Sequence, residues 1–510
     1  MKLTMFRLGT VRAFVVDYYL LSIIILAVFV RLYGITNAAV WFDEAYSVLA
    51  SDAAPPLIWF YAANDVHPPL YYFLLHVWMV YFGDSIIAIR TMSVVIGAMT
   101  VVLGVWLMSL IATRRAAVLG GILLATLPIA VRYSQEARMY ALLGLWCIAA
   151  TLALVYWVRA PHQFRYLFVY TLLMVAAFYT HYFAGPCLFA HWLYVLLLQG
   201  RGVPTLRKPA WWLTNITIVV LYIPWLPSLY AQFATSNGLL WTPPATLFLL
   251  VSQLWQFLIL EDGFGLPVIV YVSLPLAVAS AAGLLIALDH SPYRFNALLV
   301  IYIVAPLLVV ALVSLRMPLF WTRYFLFSAI GLPLLMGLAL DKLLDRQHWL
   351  GVAAAGVLMG LQVYGLSNVY SGKFTLNSPG VQTQVRIDKA LDYLTEAWAA
   401  GDRILVYGVD MTAGALYYNK TGTQLLLYTP GSPLEGHPGN RNIGSILSRS
   451  PNISFISHLE CLPVGAQRIW FLYSSQQRTL AVPVQWRAIS HFTAGDTQLW
   501  LYSLEQPAPR

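Results

Sequence analysis

Two adjacent carboxylates, Asp43 and Glu44, lie in the segment WFDEAYS directly after the first long apolar run. A carboxylate near a membrane surface can act as general base towards a hydroxyl, and its neighbour can orient the acceptor or hold a cation. An Asp-Glu pair in a loop is also commonly solvated or caps a helix. The pair therefore indicates acid–base chemistry only if other functional groups lie near it.

Arginines that could bind a phosphate lie in three separated segments: Arg90, Arg138 and Arg323. Arg90 lies several residues inside an apolar run, where an unpaired guanidinium is costly, so it requires an acidic or phosphate partner. The carboxylate pair could be that partner. Arg323 follows LRMPLFWT at the start of a later apolar run, and arginine is the preferred planar partner of phosphate.

The segment RYSQEARMYAL, residues 132–142, combines acidic, basic and aromatic side chains. Glu136 and Tyr140 are four residues apart and would share one face of a helix, whereas Arg138 would point elsewhere. Glu136 is a candidate second carboxylate, and Arg132 or Arg138 could contact a phosphate. The alternative is a local ion-pair cluster at a helix start.

Histidine and tyrosine residues near apolar segments are candidates for positioning a substrate: His67, Tyr140, His181, Tyr182 and Tyr324. His67 precedes two prolines that would start a helix. The alternative for His67 is an exposed histidine at a helix start. An aromatic belt at the membrane interface would explain His181 and Tyr182.

The composition predicts that these residues are positioned by membrane helices. Sixty per cent of the 510 residues are hydrophobic and 10% are charged, against about 45–50% and 25% in soluble domains. A single soluble domain and a disordered chain are both excluded. We predict a polytopic α-helical membrane protein with eleven spans, near 14–35, 86–111, 117–133, 138–158, 167–183, 184–199, 210–230, 264–288, 295–314, 324–341 and 349–367.

The distribution of basic residues predicts the orientation. Clusters expected on the cytoplasmic side are Lys2–Arg12, Arg114–Arg115, Arg159–Arg165, Arg201–Lys208, Arg294 and Lys342–Arg346. These clusters share one side only if residues 67–82 do not cross, so we interpret this run as a re-entrant or interfacial helix. Most acidic residues before 370 then lie on the outer side, together with the candidate arginines. The first run is expected to be a signal anchor, because it is long and lacks a cleavage site.

The charge density changes after the last predicted span. Residues 1–370 contain 19 Lys and Arg and 12 Asp and Glu, whereas residues 371–510 contain 11 and 9. We predict a transmembrane domain over 1–370 and a small extracytoplasmic α/β domain over 371–510, which chooses the acceptor or braces the outer face. GHPGNRNIG, residues 436–444, is expected to be a loop. Three cysteines cannot make a disulfide framework, and no Cys/His spacing suggests zinc.

The ordered motifs resemble those of the GT-C membrane glycosyltransferases, especially the protein O-mannosyltransferases and aminoarabinose transferases. Asp-Glu in the first outer loop is followed by HPPL, a short apolar run ending in Phe-Gly, and a span bearing Arg90. SQEARMYAL and WTRYFLF strengthen the likeness, which covers about residues 15–345. The resemblance implies a sugar donor on a polyprenyl phosphate, which an acceptor hydroxyl attacks at the outer face in a single inverting displacement.

By this resemblance, Asp43 is the base, Glu44 orients the base or acceptor, and Arg90 and Arg323 bind the donor phosphate. Glu136 is a less securely aligned second acid, and the role of His67 is open. The acceptor could be a glycan, a lipid or a protein; no nucleic acid is expected. No cofactor is assigned, although Asp43, Glu44 and Glu136 could hold Mg²⁺ or Mn²⁺. The alternatives are a flippase for a lipid-linked glycan and a membrane anchor for an envelope complex.

Overall fold

The computed structural model describes residues 18–199, 203, 205–235, 246–263, 265–372, 385–430, 441–459, 462, 467–476 and 482–504. Lys2, Arg7, Arg12 and Arg201, which contribute to the predicted orientation, lie outside these residues. The described chain is mainly helical up to residue 371 and forms a mixed sheet with helices after residue 385.

Eighteen helices form the described part of the N-terminal region: α1 (Tyr18–Leu32), α2 (Phe42–Ser51), α3 (Pro55–Ala63), α4 (Leu70–Phe82), α5 (Ile86–Ile111), α6 (Arg114–Ala125), α7 (Pro128–Ser134), α8 (Tyr140–Arg159), α9 (Phe164–Thr180), α10 (Ala184–Gln199), α11 (Pro209–Tyr222), α12 (Leu226–Thr235), α13 (Leu247–Ile259), α14 (Val268–Leu288), α15 (Phe295–Ser314), α16 (Leu326–Ala329), α17 (Gly331–Arg346) and α18 (His348–Ser371). Short 3₁₀ turns at Ile223–Trp225 and Thr322–Phe325 precede α12 and α16.

The membrane character is confirmed, but the count of eleven spans is not. Within the described residues, six helical segments are long and apolar enough to cross a membrane, if α11, α12 and the turn between them count as one, and two bent pairs raise the number to eight. The predicted spans near 14–35, 167–183 and 184–199 correspond to shorter helices of 15, 17 and 16 residues. Residues 70–82 form a helix of 13 residues, and their interpretation as a non-crossing segment stays a prediction.

Two features of the helical region differ from expectation. Helix α13 was not predicted, because 13 residues are short for a span and Ser252, Gln253 and Gln256 interrupt the apolar run. The predicted span 117–133 is broken into α6 and α7, which meet at 53°. Arg31 stabilises this break: its Nη1 donates to the carbonyl of Ala125 at 2.8 Å and its Nε to Ser134 Oγ at 3.2 Å.

Helices α6 and α17 approach each other through glycine. A Cβ placed on Gly337 would lie 2.6 Å from the backbone nitrogen of Gly120 and 2.8 Å from the carbonyl oxygen of Ala116. Backbone atoms cannot move aside as a side chain can. We therefore expect Gly337→Ala to lower the free energy of unfolding by about 1–3 kcal/mol, measured as a lower thermal midpoint in detergent. Gly356→Ala, where nothing lies within 4 Å, should not lower it, and equal midpoints would contradict this packing.

The C-terminal region contains a six-stranded sheet of β1 (Arg403–Tyr407), β2 (Leu425–Tyr428), β3 (Ile453–Ile456), β4 (Arg468–Ser474), β5 (Trp486–Ala494) and β6 (Thr497–Leu504), in the order β3-β2-β1-β4-β6-β5. The first four strands are parallel, and β6 and β5 continue the sheet antiparallel. Its helices are α19 (Ile387–Glu396), α20 (Val409–Tyr418) and α21 (Arg441–Leu447).

The alternation of helices and strands agrees with the α/β class expected for residues 371–510. Residues 441–444, expected to be part of a loop, belong to α21, while 436–440 lie outside the described residues. The domain boundary at 370/371 stays a prediction.

Helix α20 connects the C-terminal region to the membrane helices. Val40 N donates to Tyr418 Oη at 2.8 Å, and Tyr417 Oη donates to the carbonyl of Asp84 at 2.8 Å. Arg449, just beyond α21, lies over the ring of Phe60 in α3 at 4.4 Å. Three separate contacts therefore hold the C-terminal region against the loop and helices that follow α1.

Candidate active site

Asp43 lies between two arginines that come from distant segments. Its Oδ2 is 3.6 Å from Arg323 Nη1 and 3.8 Å from Arg138 Nη2, and 21% of its side chain is exposed. The first turn of α2 carries Asp43, the link between α7 and α8 carries Arg138, and the turn before α16 carries Arg323. A partly exposed carboxylate beside two cations can accept a proton from a substrate while a phosphate binds next to it.

Both arginines retain hydrogen-bonding capacity. Arg138 is buried and donates through Nη1 to Ser47 Oγ at 3.0 Å and to the backbone carbonyl of Asp43 at 3.2 Å. The Nε atoms of Arg138 and Arg323 have no hydrogen-bond partner among the described residues. The Arg323 guanidinium is instead surrounded by rings, with centroid distances of 5.0–5.9 Å to Trp321, Tyr324, Tyr140 and Trp41.

Arg90 is fully engaged within the protein. Its Nε and Nη2 bind the carboxylate of Glu44 at 2.8 and 2.6 Å, and its remaining N–H groups donate to the carbonyls of Ile35, Ala38 and Ala39 at 2.7–3.1 Å. All five donors are therefore used, and a phosphate would have to displace one of them. Of the two partners considered for Arg90, the structure shows the carboxylate.

Glu44 is committed to the same network. It is completely buried, and Oε1 also accepts a hydrogen bond from the backbone nitrogen of Ala137 at 2.8 Å. Glu44 thus joins α2 to α5 and to the link that carries Arg138. Glu44 is therefore suited to hold Asp43 and Arg138 in place. Contact with the acceptor, the other role expected for Glu44, would need a free carboxylate oxygen, and both of its oxygens are bonded to protein groups.

Glu136 supports the site through Trp41. Its Oε1 accepts a hydrogen bond from Trp41 Nε1 at 3.0 Å, and its Oε2 is 3.2 Å from Arg132 Nη1. The expected helical face shared with Tyr140 does not exist, because α8 begins only at Tyr140 and residues 135–139 form the link before it. Burial raises the pKa of Glu136, although Arg132 opposes this effect. The ion pair with Arg132 is the local cluster considered as the alternative.

The histidine and tyrosine candidates form a continuous aromatic group beside Arg323. The ring of His181 lies 5.1 Å from both His67 and Tyr324, and Tyr140 lies 6.1 Å from Tyr324. Neither ring nitrogen of His67 has a hydrogen-bond partner among the described residues, although His67 is buried. Burial lowers the pKa of His67, although the neighbouring Asp65 opposes this effect.

An apolar cavity of about 300 Å³ opens next to this aromatic group. Its polar end is formed by His67, His181 and Tyr324, and its walls by Phe183 and apolar residues of α15 such as Val310. Tyr182 also lines it and accepts a hydrogen bond from Trp225 Nε1 at 3.1 Å. Such a cavity can hold a hydrocarbon chain whose charged head lies near Arg323.

The three predicted acids do not converge as metal ligands. Glu44 faces Arg90, Glu136 faces Arg132 and Trp41, and Asp43 faces Arg138 and Arg323. Among the described residues, no group of three or more His, Cys, Asp or Glu side chains is arranged to bind a metal ion. The residues present therefore do not fit the Mg²⁺ or Mn²⁺ site considered from the sequence.

Sequence reasoning missed Trp41 and Ser47, which orient Glu136 and Arg138. Both flank Asp43 in WFDEAYS, so their proximity was the available signal. It also missed Asp65, which accepts a hydrogen bond from Tyr72 Oη at 2.8 Å and lies 3.7 Å from His67 Nδ1.

Residues 66–227 match the model of the family described as dolichyl-phosphate-mannose-protein mannosyltransferase. This match includes Arg90, Arg138 and His181 but not Asp43 or Arg323. It is shorter than the range of about residues 15–345 over which the motifs indicated a resemblance. No curated protein matches the chain significantly.

Three solved structures share the fold over most of the chain. Apo ArnT from Cupriavidus metallidurans is 11% identical with a TM-score of 0.61, covering 95% of this chain and 97% of that chain. ArnT bound to undecaprenyl phosphate is 12% identical with a TM-score of 0.57, covering 96% and 99%. The oligosaccharyltransferase AglB from Archaeoglobus fulgidus, in complex with an inhibitory peptide and a dolichol-phosphate, is 10% identical with a TM-score of 0.53, covering 90% and 70%.

The chain therefore has the fold of the GT-C membrane glycosyltransferases and resembles the dolichyl-phosphate-mannose-protein mannosyltransferases in sequence over residues 66–227.

Proposed function

We propose that this protein is a membrane glycosyltransferase that moves a sugar from a polyprenyl-phosphate donor to an acceptor hydroxyl. The observation that carries the proposal is the position of Asp43 between Arg138 and Arg323, beside an apolar cavity. A lipid-linked phosphate needs both an apolar site for its chain and positive charge for its head. ArnT, which shares the fold, binds undecaprenyl phosphate, and this supports the same class of donor.

The proposed reaction is a single displacement at the anomeric carbon. Asp43 removes the proton of the acceptor hydroxyl, and the oxygen forms a bond to the anomeric carbon from the face opposite the phosphate. The carbon–oxygen bond to the phosphate breaks, and the phosphate leaves with the bonding electrons, so the configuration is inverted. Arg138 and Arg323 stabilise the negative charge that develops on the leaving phosphate.

The same geometry suggests how Asp43 becomes available. Its contacts with the two arginines are 3.6 and 3.8 Å, longer than a tight ion pair. A donor phosphate between Arg138 and Arg323 would compete for these cations and leave Asp43 free to face the acceptor. Glu44 and Arg90 then position Asp43 and Arg138, and Glu136 positions Trp41.

The proposed location is the cell membrane, with the site and the C-terminal region outside the cytoplasm and the N-terminus inside. The positive-inside distribution supports this orientation. His67, Tyr140, His181, Tyr182 and Tyr324 would position the donor where the cavity meets the arginines.

Replacing Arg323 tests the phosphate role. Arg323→Gln is expected to lower kcat by about 100- to 1,000-fold, because one charged donor to the leaving phosphate is lost. Lysine in its place should recover only part of the rate, since it cannot present a planar fork. The measurement is the transfer rate at saturating donor for protein in nanodiscs.

The exposed Arg316, seven residues earlier, provides the control. Arg316→Gln should retain the wild-type rate. A normal rate for Arg323→Gln would show that the leaving phosphate is stabilised elsewhere.

A further inference from the structure

The place of the Arg323 guanidinium depends on the turn that carries it. Its Nε has no hydrogen-bond partner among the described residues, and the ion pair of its Nη1 with Asp43 Oδ2 is 3.6 Å long. Arg323 lies in the 3₁₀ turn Thr322–Phe325, which follows residues 315–321, a stretch that is neither helix nor strand. A side chain with so few directional contacts takes its position largely from its backbone.

Thr322 anchors this turn to α13. Its side chain is buried, and its hydroxyl is used in both directions: Oγ1 donates a hydrogen bond to Gln256 Oε1 and accepts one from Gln253 Nε2 at 3.3 Å. Thr322 directly precedes Arg323 in the same turn. A displacement of the threonine would therefore displace the arginine as well.

The two glutamines belong to a polar stripe on an otherwise apolar helix. Gln256 Nε2 donates to Ser252 Oγ at 3.0 Å, Ser252 Oγ donates to the carbonyl of Leu249 at 3.0 Å, and Gln253 Nε2 donates to the same carbonyl at 3.1 Å. Ser252, Gln253 and Gln256 are all buried. Burying so many polar groups is costly unless each is bonded, and here the bonds hold both glutamine side chains towards Thr322.

Helix α13 is itself fixed to α18 at its other end. A Cβ placed on Gly365 of α18 would lie 2.4 Å from the carbonyl oxygen of Leu258 and 2.8 Å from the Cα of Ile259. Asn368 Nδ2, one turn further along α18, donates to the carbonyl of Ile259 at 3.0 Å. The polar stripe therefore projects from a firmly packed helix, which gives Thr322 a fixed point of attachment.

We propose that Gln253 and Gln256 position Arg323 through Thr322, so that its guanidinium meets the donor phosphate. The three side chains are positioning residues, because they act through Arg323 and not on the substrate. This inference rests on the proposed function, in which Arg323 stabilises the leaving phosphate. Misplacing a catalytic group by about 1 Å can cost about 100-fold in rate, so loss of the anchor affects transfer before it unfolds the protein.

Two substitutions of Thr322 test the anchor in full-length protein in nanodiscs. Thr322→Val keeps the shape of the side chain but removes the hydroxyl, whereas Thr322→Ser keeps the hydroxyl. Thr322→Val should lower kcat about tenfold and weaken binding of undecaprenyl phosphate about fivefold, while Thr322→Ser should stay within about twofold of wild type in both. The acceptor KM should not change in either variant.

Combination with Arg323→Gln tests whether the anchor acts through the arginine. In the Arg323→Gln background, Thr322→Val should change kcat and the affinity for undecaprenyl phosphate by less than about twofold, because residues that act as one unit are not additive. Equal losses with and without the guanidinium would overturn the proposal, since the threonine would then act independently of Arg323.

Gln256→Met provides a second route to the same result. Methionine has a similar volume but leaves the Thr322 hydroxyl without its acceptor, so kcat and phosphate affinity should fall as in Thr322→Val. This variant decides the question if Thr322→Val does not fold. Normal kcat and affinity for Gln256→Met would overturn the proposal.

A second buried Thr–Gln pair supplies the matched control. Thr126, between α6 and α7, donates to Gln362 Oε1 of α18 at 2.6 Å, and both side chains are buried. Thr126→Val removes the same kind of bond away from the turn that carries Arg323. Its kcat and its affinity for undecaprenyl phosphate should equal those of wild type.

Equal losses in Thr126→Val would overturn the proposal, because any lost Thr–Gln bond would then have the same effect. Losses in Thr322→Ser as large as those in Thr322→Val would also overturn it, because the hydroxyl would not be the active group. A wild-type protein that transfers no sugar, yet binds undecaprenyl phosphate through Arg323 with the dependence on Thr322 described above, would contradict the proposed function while supporting the anchor.

Discussion

Asp43→Asn is expected to lower the transfer rate by about 100- to 10,000-fold, the usual contribution of a positioned general base. Asparagine keeps the shape of the side chain and its place beside Arg138 and Arg323, but it cannot accept the acceptor proton. Affinity for undecaprenyl phosphate should be retained or rise, because a negative charge that competes for the two arginines is removed. Single-turnover transfer and equilibrium binding in nanodiscs measure the two quantities separately.

Asp52→Asn is the matched control for this variant. Asp52 is an exposed carboxylate at the other end of α2, and its replacement should leave the rate unchanged. Transfer by Asp43→Asn at the wild-type rate would remove Asp43 as the base. Glu44 and Glu136 would then be the remaining carboxylates to test, each of them paired with an arginine in the structure.

Arg90→Ala is expected to destabilise the protein by about 3–5 kcal/mol, as breaking a buried ion pair leaves the other charge uncompensated. Glu44 would lose both guanidinium contacts, and the carbonyls of Ile35, Ala38 and Ala39 would lose their donor. The thermal midpoint in detergent should fall clearly. The exposed pair of Lys420 with Asp392 is the control, and Lys420→Ala should have little effect on the midpoint.

This prediction separates two roles for Arg90. The family resemblance implies that Arg90 binds the donor phosphate, whereas its contacts indicate that it fixes the loop before α2. A normal thermal midpoint with weakened binding of undecaprenyl phosphate would support the phosphate role. A lowered midpoint with normal phosphate affinity in the remaining folded protein would support the positioning role.

The candidate site was partly predictable because its chemistry is concentrated in charged residues within apolar sequence. Charge inside a membrane protein is costly, so Asp43, Arg138 and Arg323 were conspicuous. The sequence does not indicate which carboxylate pairs with which arginine. Asp43 and Glu44 are adjacent, and only the direction in which each side chain leaves α2 sends Glu44 to Arg90 and Asp43 to Arg138 and Arg323. The prediction that Glu136 and Tyr140 share one face of a helix was wrong, because Glu136 lies in the link between α7 and α8.

The fold was also partly predictable, because the hydrophobic pattern of the sequence indicates where membrane helices lie. Long apolar runs identified most of the membrane helices, and the higher charge density after residue 370 indicated a separate α/β region. Short helices such as α13 carry too few apolar residues to be recognised as spans. The strand order β3-β2-β1-β4-β6-β5 depends on pairing between segments far apart in sequence, which hydrophobic patterns do not specify.

The most direct test of the central claim is transfer by the purified wild-type protein in liposomes. A panel of radiolabelled polyprenyl-phosphate sugars would be offered together with a cell-envelope extract, and the label would be followed by phase partition. Label is expected to move from the lipid to an acceptor fraction, and unlabelled polyprenyl phosphate should appear in equal amount. Label that stays on the lipid and crosses the bilayer intact would contradict the proposed transfer and identify a flippase.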